Sequence, residues 1–583
     1  MGFYTCQEKS EIIERKFEEY MRKKLLATCI TAFLLASGFA LSGCYIIEPG
    51  TSASSQSSQS SSSNPSESSP KDSSSGDSTS SDSTPPEVEK EELEFELVGD
   101  SYKVAGVGSA TKNTGKVEIP AQYNGLPVTA IGERAFYNEY ELGWIIIPDS
   151  VTEIGKEAFA HCPNLMTVEM GNGVTELGEK GFYNCSMLRN VTFSQKLVNI
   201  GNSAFQDCRR LQAVEFPNSL EYIGNNAFDY CEVMPSVTFG TGLKSIGVEA
   251  FKNCVKLTEV VIPDGAPTQI GQRAFAIENL NGNVQFRSSL KRIKLGNSVV
   301  SIGSEAFVGA AKVYTIEIGD SVTTIGSNAF ANCRKLYYVA LGSSVISIAS
   351  NAFSKSDAIR EVYNRSSKIT VTAGTSGNGG VAINAYYVRK PGEPTRLSKD
   401  ENGLVFYTDS TKKVLINGEF DERTSIVVPN DVDEIADKAF YNDTYVCGLD
   451  VGTKCKVIGT SAFQNCYTLE KVILREGMTQ IKNQAFMNNH ALISVHIYSK
   501  SMTVGTAAFK KKAGESESKA YGTIYFKGTA AEWETAKKKF GESNEDFLGT
   551  EEKVADVAYY SESQPTGEGK FWHFVDNKAT LWK

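Results

Sequence analysis

A phenylalanine returns every 23 residues along most of this chain, and that period constrains the fold more than any other feature. Phe136, Phe159, Phe182, Phe205, Phe228, Phe251, Phe275, Phe307, Phe330 and Phe353 form one run, and Phe440, Phe463, Phe486 and Phe509 form a second. The steps are all 23 except a 24 before Phe275, a 32 before Phe307 and an 87 before Phe440. Five residues before each Phe stands Ile, Leu or Val, and directly before it stands Ala, with Gly181 the exception. A unit this short has too little apolar surface to fold alone. A fixed period therefore predicts stacked units sharing one core.

Within a unit the text reads LxxVxI, a turn, then VxxIG and AFxxC. Examples are Leu211, Val214, Phe216 and Leu469, Val472, Leu474. Alternation of Val and the residue two beyond it predicts a strand with one buried face. Turns such as Pro217-Asn218-Ser219 follow, with residue types that accept tight backbone geometry. VxxIG reads as a second extended stretch and AFxxC as a short helical turn. The predicted fold is a repeat solenoid, β-rich with short helical turns and a parallel sheet on one face.

These units resemble the leucine-rich repeats of BspA-like bacterial surface proteins, with the form LxxVxIPxSVxxIGxxAFxxC. The resemblance covers residues 130–365 and 430–510. It implies a solenoid exported to the cell surface, with adhesive or binding roles, and it implies no catalytic residues and no cofactor. Departures are nine extra residues between Phe275 and Phe307, and Ala349, Ala436 and Lys482 where the repeat has Gly.

Outside the repeats, residues 87–129 and 366–429 each read as strand pairs ahead of an IxxxAF unit. They are expected to act as hairpin caps over the open end of each block, since an uncapped coil exposes strand edges and core. Two capped blocks, ten repeats over 130–365 and four over 430–512, are compatible with separate rods joined by a hinge. Residues 513–583 are off-period and aromatic and read as a terminal cap or small module.

The N-terminus reads as an address. Arg22, Lys23 and Lys24 precede an uncharged run from Leu25 to Leu41, 17 residues long. That is short of the roughly 20 a spanning helix needs and fits a secretory signal. Leu41-Ser42-Gly43-Cys44 resembles the lipobox of bacterial lipoproteins. The resemblance implies cleavage before Cys44 and lipid on its sulfur, and so a lipid anchor at the outer face of a bacterial cell membrane. Residues 1–20 make an overlong leader, so translation is expected to begin at Met21. Beyond Cys44, 19 of the 36 residues from 51 to 86 are Ser. Such a segment cannot offset its ordering entropy by burial. Residues 44–86 are expected to act as a tether, its Ser-rich part spanning about 30 to 36 Å as a flexible coil.

Composition narrows the function. With 41% hydrophobic and 22% charged residues the chain is neither disordered throughout nor a multispan membrane protein. A net charge of -10 with no concentrated basic run argues against nucleic acid as a partner. Cys162, Cys185, Cys208, Cys231, Cys254, Cys333 and Cys466 each follow a repeat Phe by three residues and are expected to form a stacked interior ladder. Disulfides between neighbouring coils remain open, and Cys447 with Cys455, off the ladder, is the first pair to test. The spacings contain no CxxC and no Cys/His cluster for a metal. His161, His490, His496 and His573 are scattered and expected at the surface. There is no HExxH and no GxSxG, and Gly108 to Lys116 fails as a phosphate loop in both spacing and its Val117.

Between the apolar positions of LxxVxI, side chains are expected to point outward and be free to serve recognition. They include Trp144, Lys291, Arg292, Lys294, Tyr314, Tyr337, Tyr338 and Tyr363. Four tyrosines in three coils form an aromatic, hydrogen-bonding strip beside a small basic spot, suited to an extracellular protein or glycan. The expected function is a lipid-anchored surface binding or adhesion protein. The alternative is an envelope scaffold or spacer with no dedicated ligand.

Overall fold

The computed structural model describes residues 93–108, 115–278, 288–511, 522–540, 542–548, 556–566, 568–575 and 578–582. Cys44, the signal, the tether and most of the nine extra residues lie outside them. The described chain is a β-solenoid. Each coil contributes one strand to each of two parallel walls.

In the first block, VxxIG supplies the strands of one long wall, from Leu126–Ile131 through Glu153–Ile154 to Ser347–Ile348. Register advances one repeat at each step, Ile131 beside Ile154 and Ile154 beside Leu177. LxxVxI supplies the other wall, from Lys116–Glu118 to Tyr387–Arg389, interrupted into three sheets. An antiparallel hairpin, Glu94–Val98 with Ser101–Gly106, begins the long wall and pairs in parallel with Leu126–Ile131. In the second block an antiparallel meander, Leu397–Lys399, Leu404–Thr408 and Lys413–Gly418, stands at the same place.

AFxxC forms the third side, and it is not helical. Residues two before and two after the Phe take positive φ, 59° at Arg134 and 62° at Asn138, so the chain makes consecutive turns. The Phe136 N–H donates to the Ala158 carbonyl of the next coil at 2.7 Å, not to its own chain four residues back. Arg134 and Asn138 donate likewise to Lys156 and Ala160 at 3.0 and 2.8 Å. Asn fills many of the positions after Phe because its short side chain tolerates the left-handed region. The Gly after the repeat Ile answers to close coil packing: a Cβ on Gly224 would lie 2.6 Å from Asn202 N. Among the described residues the α-helices are Ala530–Lys537 and Glu545–Leu548, both after the repeats.

The phenylalanines stack into a spine. Centroids are 4.7 Å apart for Phe136 and Phe159 and 5.1 Å for Phe205 and Phe228, close to the spacing of neighbouring strands. Phe275 and Phe307 remain 5.0 Å apart, so the insertion between them leaves the spine unbroken. Phe440 to Phe509 repeats the arrangement, extended by Phe420 at one end and Phe547 at the other. Each buried ring contributes roughly 1.5 to 3 kcal/mol by leaving water.

All nine described cysteines are free thiols, Cys447 and Cys455 included. Each ladder thiol donates to the carbonyl of a Phe in the preceding coil, as Cys208 does to Phe182 at 3.1 Å and Cys466 to Phe440 at 3.1 Å. Ser356 holds the same register and donates to Phe330 at 2.8 Å. The ladder therefore supplies a hydrogen-bond donor as well as volume.

The two blocks are not independent rods. Residues of the second block's cap and first coil pack onto the first block, and Tyr314 and Tyr337 share one hydrophobic core with Leu404, Phe406, Phe440 and Phe463. Asn417 donates to the Lys335 carbonyl at 2.8 Å, and the Arg360 guanidinium donates to the Asp437 carbonyl at 2.6 Å. Ion pairs join Lys335 to Asp443 and Lys438 to Asp357 at the same contact.

Candidate functional site

Parallel register turns outward positions into rows running across the coils. One row on the first block reads Glu259, Arg292, Thr315, Tyr338, Glu361, Tyr387, and the next reads Val261, Lys294, Glu317, Ala340, Tyr363, Arg389. A third lies one residue earlier and contains Lys291, Tyr314, Tyr337, Arg360 and Tyr386.

The third row is covered at Tyr314, Tyr337 and Arg360, while Lys291 is half-buried and Tyr386 exposed. Tyr314 and Tyr337 are 8% and 7% exposed, so the expectation that they face solvent fails. The Tyr337 hydroxyl donates to Glu419 at 2.6 Å, and burial holds both phenols well above their ordinary range. Lys291 pairs with Asp421 of the second cap. These tyrosines serve the contact between blocks, where an amphipathic ring can bury its body and still satisfy its hydroxyl.

Tyr338 and Tyr363 are half-buried and held by Arg389. The Arg389 guanidinium lies 3.7 Å above the Tyr363 ring, donates to the Tyr338 hydroxyl at 3.0 Å and donates to Glu361 at 3.1 Å. Glu361 is fully buried and also accepts from Thr395 at 3.0 Å and the Arg396 N–H at 2.9 Å. Segment 387–396 thus trims the strip at its last coils.

Arg292, Lys294 and Glu317 remain exposed, with Thr315 half-buried beside them. Where this surface meets the second cap, a hollow of about 270 Å³ is lined by Lys291, Arg292, Tyr314, Thr315, Glu419 and Asp421. Towards the first coils the same wall continues outward through Glu215, Thr192, Glu169 and Trp144, whose ring lies 5.1 Å below the Lys116 ammonium. Glu419, Asp421 and Arg389 were missed by sequence reasoning because they lie in the aperiodic break. Acids within the break, Glu419 and Asp421, set against basic residues before it were the available signal.

His496 corrects another expectation. It sits at an outward strand position but is 3% exposed, its ring stacked 4.4 Å from Tyr525 and edge-on to Trp572. Strands Val557–Tyr560 and Lys570–Val575 carry the off-period aromatics over it, and Trp572 donates to the Phe526 carbonyl at 3.2 Å. Burial, with Lys471 and Arg475 nearby, holds its imidazole down at about 4. Elsewhere His161 lies between Tyr137 and Tyr183, and His573 stacks on Trp582. Among the described residues no group of three or more His, Cys, Asp and Glu could hold a metal ion, and no helix is long and apolar enough to cross a membrane.

A family model described as the BspA type leucine rich repeat region (6 copies) matches over four stretches, residues 111–231, 199–293, 278–374 and 419–517. No curated protein matches. Among solved structures, a leucine-rich repeat protein from Bacteroides ovatus is 18% identical, with 80% of this chain and 98% of that one covered, at a TM-score of 0.36. A leucine-rich repeat protein from T. pallidum is 26% identical, with 38% and 87% covered and a TM-score of 0.29. A leucine rich cell surface protein from Faecalibacterium prausnitzii is 22% identical, with 76% and 94% covered and a TM-score of 0.28.

Proposed function

The chain belongs to the BspA-type leucine-rich repeat family, and from that premise we propose that it is a cell-surface binding protein, lipid-anchored through Cys44, that recognises an extracellular protein or glycan with the outer wall of its first block. One observation carries the reading. The wall from Trp144 to Lys294 keeps Trp144, Thr192, Glu215, Arg292 and Lys294 in solvent, with Glu169 half-buried, while their strand neighbours hold the core, so these positions are free to vary at little cost to the fold. It ends in the hollow bounded by Arg292, Thr315 and Asp421, where a ligand would meet both charge signs. Binding, not catalysis, is the role this arrangement suits.

Lipid on Cys44 is supported by Leu41-Ser42-Gly43 ahead of it. A Cys44→Ala variant is expected to leave the membrane fraction. The wall is tested by glycan and extracellular-protein arrays probed with the chain from residue 87 onward, followed by Arg292→Ser with Lys294→Ser. Loss of a discovered partner supports the wall, and unchanged binding removes it. A scaffold without a dedicated ligand is the second reading, favoured by the use of Tyr314 and Tyr337 to join the blocks. Blank arrays with a softened envelope on deletion would select it.

A further inference from the structure

The two blocks enclose a second hollow, away from the outer wall and on the turn side of the second block. The last coils of the first block bring Arg334, Lys355 and Asp357 to it, and the second block brings Lys438 and Tyr441. Its volume is about 350 Å³, near the lower end of the ~300 to 1,000 Å³ typical of small-molecule sites. The period builds its floor. Lys438, Ser461 and Gln484 each stand two residues before a repeat Phe, with φ of 57°, 54° and 58°, so successive coils set them in a column. Tyr441 and Gln464 each follow a repeat Phe and form a parallel column. A smaller hollow shares Arg334 and Tyr441 and adds Lys312 and the paired Lys335 and Asp443.

We propose that this cleft binds an anionic saccharide, its acidic group held by Arg334, Lys355 and Lys438 and its hydroxyls by the amides of Gln464 and Gln484. The lining brings three cations together with one carboxylate, Asp357, which is paired with Lys438, in a chain whose net charge is -10. A planar guanidinium beside two ammonium groups matches a sulfate or carboxylate. The rest of the lining decides between classes of ligand. It contains no aliphatic side chain, so it offers a peptide neither an apolar anchor pocket nor a strand edge. Amides, a serine hydroxyl and one tyrosine ring suit the hydroxyls and C–H faces of a sugar. The cleft takes residues from both blocks, so their docking is what assembles it.

The test is calorimetric titration of the whole chain with three disaccharides: sulfated, uronic-acid without sulfate, and neutral. At least one anionic disaccharide should bind tenfold or more tightly than the neutral one, and the tighter of the two identifies the acidic group. Lys355→Gln, at an exposed position and so compatible with folding, should weaken that binding at least threefold, and Arg334→Gln with Lys355→Gln at least tenfold. Gln464→Ala with Gln484→Ala should weaken the disaccharide while leaving inorganic sulfate unchanged. Arg292→Ser on the outer wall should change nothing here, which separates this site from the wall. Equal binding of charged and neutral sugars, no loss in the Arg334 and Lys355 variants, or tighter binding of a phosphopeptide of equal charge would overturn the proposal.

Discussion

The ammonium of Lys335, in the ninth coil of the first block, is held against the carboxylate of Asp443 in the first coil of the second, with side chains 13% and 2% exposed. Asp443 also accepts the backbone N–H groups of Tyr445 at 2.7 Å and Val446 at 3.2 Å. Breaking such a pair leaves a buried carboxylate without its counter-ion. Lys335→Met is expected to cost about 3 to 5 kcal/mol, read as a lowered midpoint in urea. Lys335→Met with Asp443→Leu should cost less than the two single losses added. A loss under about 1 kcal/mol for Lys335→Met, the range of an exposed pair, would mean the contact is not buried in solution.

Thiol chemistry should separate Cys447 from the rest. Eight of the nine described cysteines are buried and Cys447 is half-buried. Burial pushes the Cys455 thiol up to about 12 and the ladder thiols such as Cys208 and Cys466 higher still. In the chain from residue 87 onward, one thiol should react quickly with a disulfide reagent at pH 8 and the others on unfolding. Cys208→Ser should be tolerated as Ser356 is, whereas Cys208→Ala leaves the Phe182 carbonyl with only the Cys185 N–H at 3.4 Å and should cost about 0.5 to 1.5 kcal/mol.

Acid should act on two buried groups with opposite signs. His496 is held at about 4 against an ordinary 6.5, so between those values the folded chain binds fewer protons than the unfolded one, and stability falls as pH falls. Asp229 is pushed by burial up to about 6 from 3.8, against the pull of Lys252 and with Glu249 and Asp207 adding repulsion. Between those values the folded chain binds more protons, and stability rises as pH falls. From pH 7 to 4.5, His496→Gln should lose less stability than the parent and Asp229→Asn should lose more. Identical slopes for all three proteins would contradict both assignments.

The coils were legible because one constraint repeats: Phe159 must meet Phe136 and Phe182, so the same residue is required at every step. The ladder was legible for the same reason. The AFxxC turns were misread because a short apolar stretch cannot reveal that the Phe136 amide bonds across coils to Ala158. Docking of the blocks left no periodic trace, since it joins Lys291 to Asp421 and Tyr337 to Glu419 across the aperiodic break. Tyrosine hides burial especially well, being at home on either side of a surface. His496 occupies a position that is outward in every other coil, and it is buried because the off-period aromatics return over it.

Truncating the spine should be costly at its middle. Phe205→Ala removes a ring that stacks on Phe182 and Phe228, each at 5.1 Å, and is expected to cost about 3 to 5 kcal/mol. The loss is read by urea unfolding. A cost below about 1 kcal/mol would mean that the ring is not packed.

Native-state hydrogen exchange at the repeat phenylalanine amides tests the account most directly. Before the last repeat these N–H groups donate to the next coil, as Phe205 does to Ala227 at 2.7 Å and Phe463 to Ala485 at 2.7 Å, and Phe509 donates instead to the Asn544 side chain at 2.9 Å. Stacked coils predict that the amides of Phe205, Phe228, Phe251 and Phe463 exchange at least a thousandfold more slowly than an unfolded chain, with a common opening free energy within each block. Exchange at unprotected rates at these positions would show that the coils do not lie one upon another, and the shared core would be refuted.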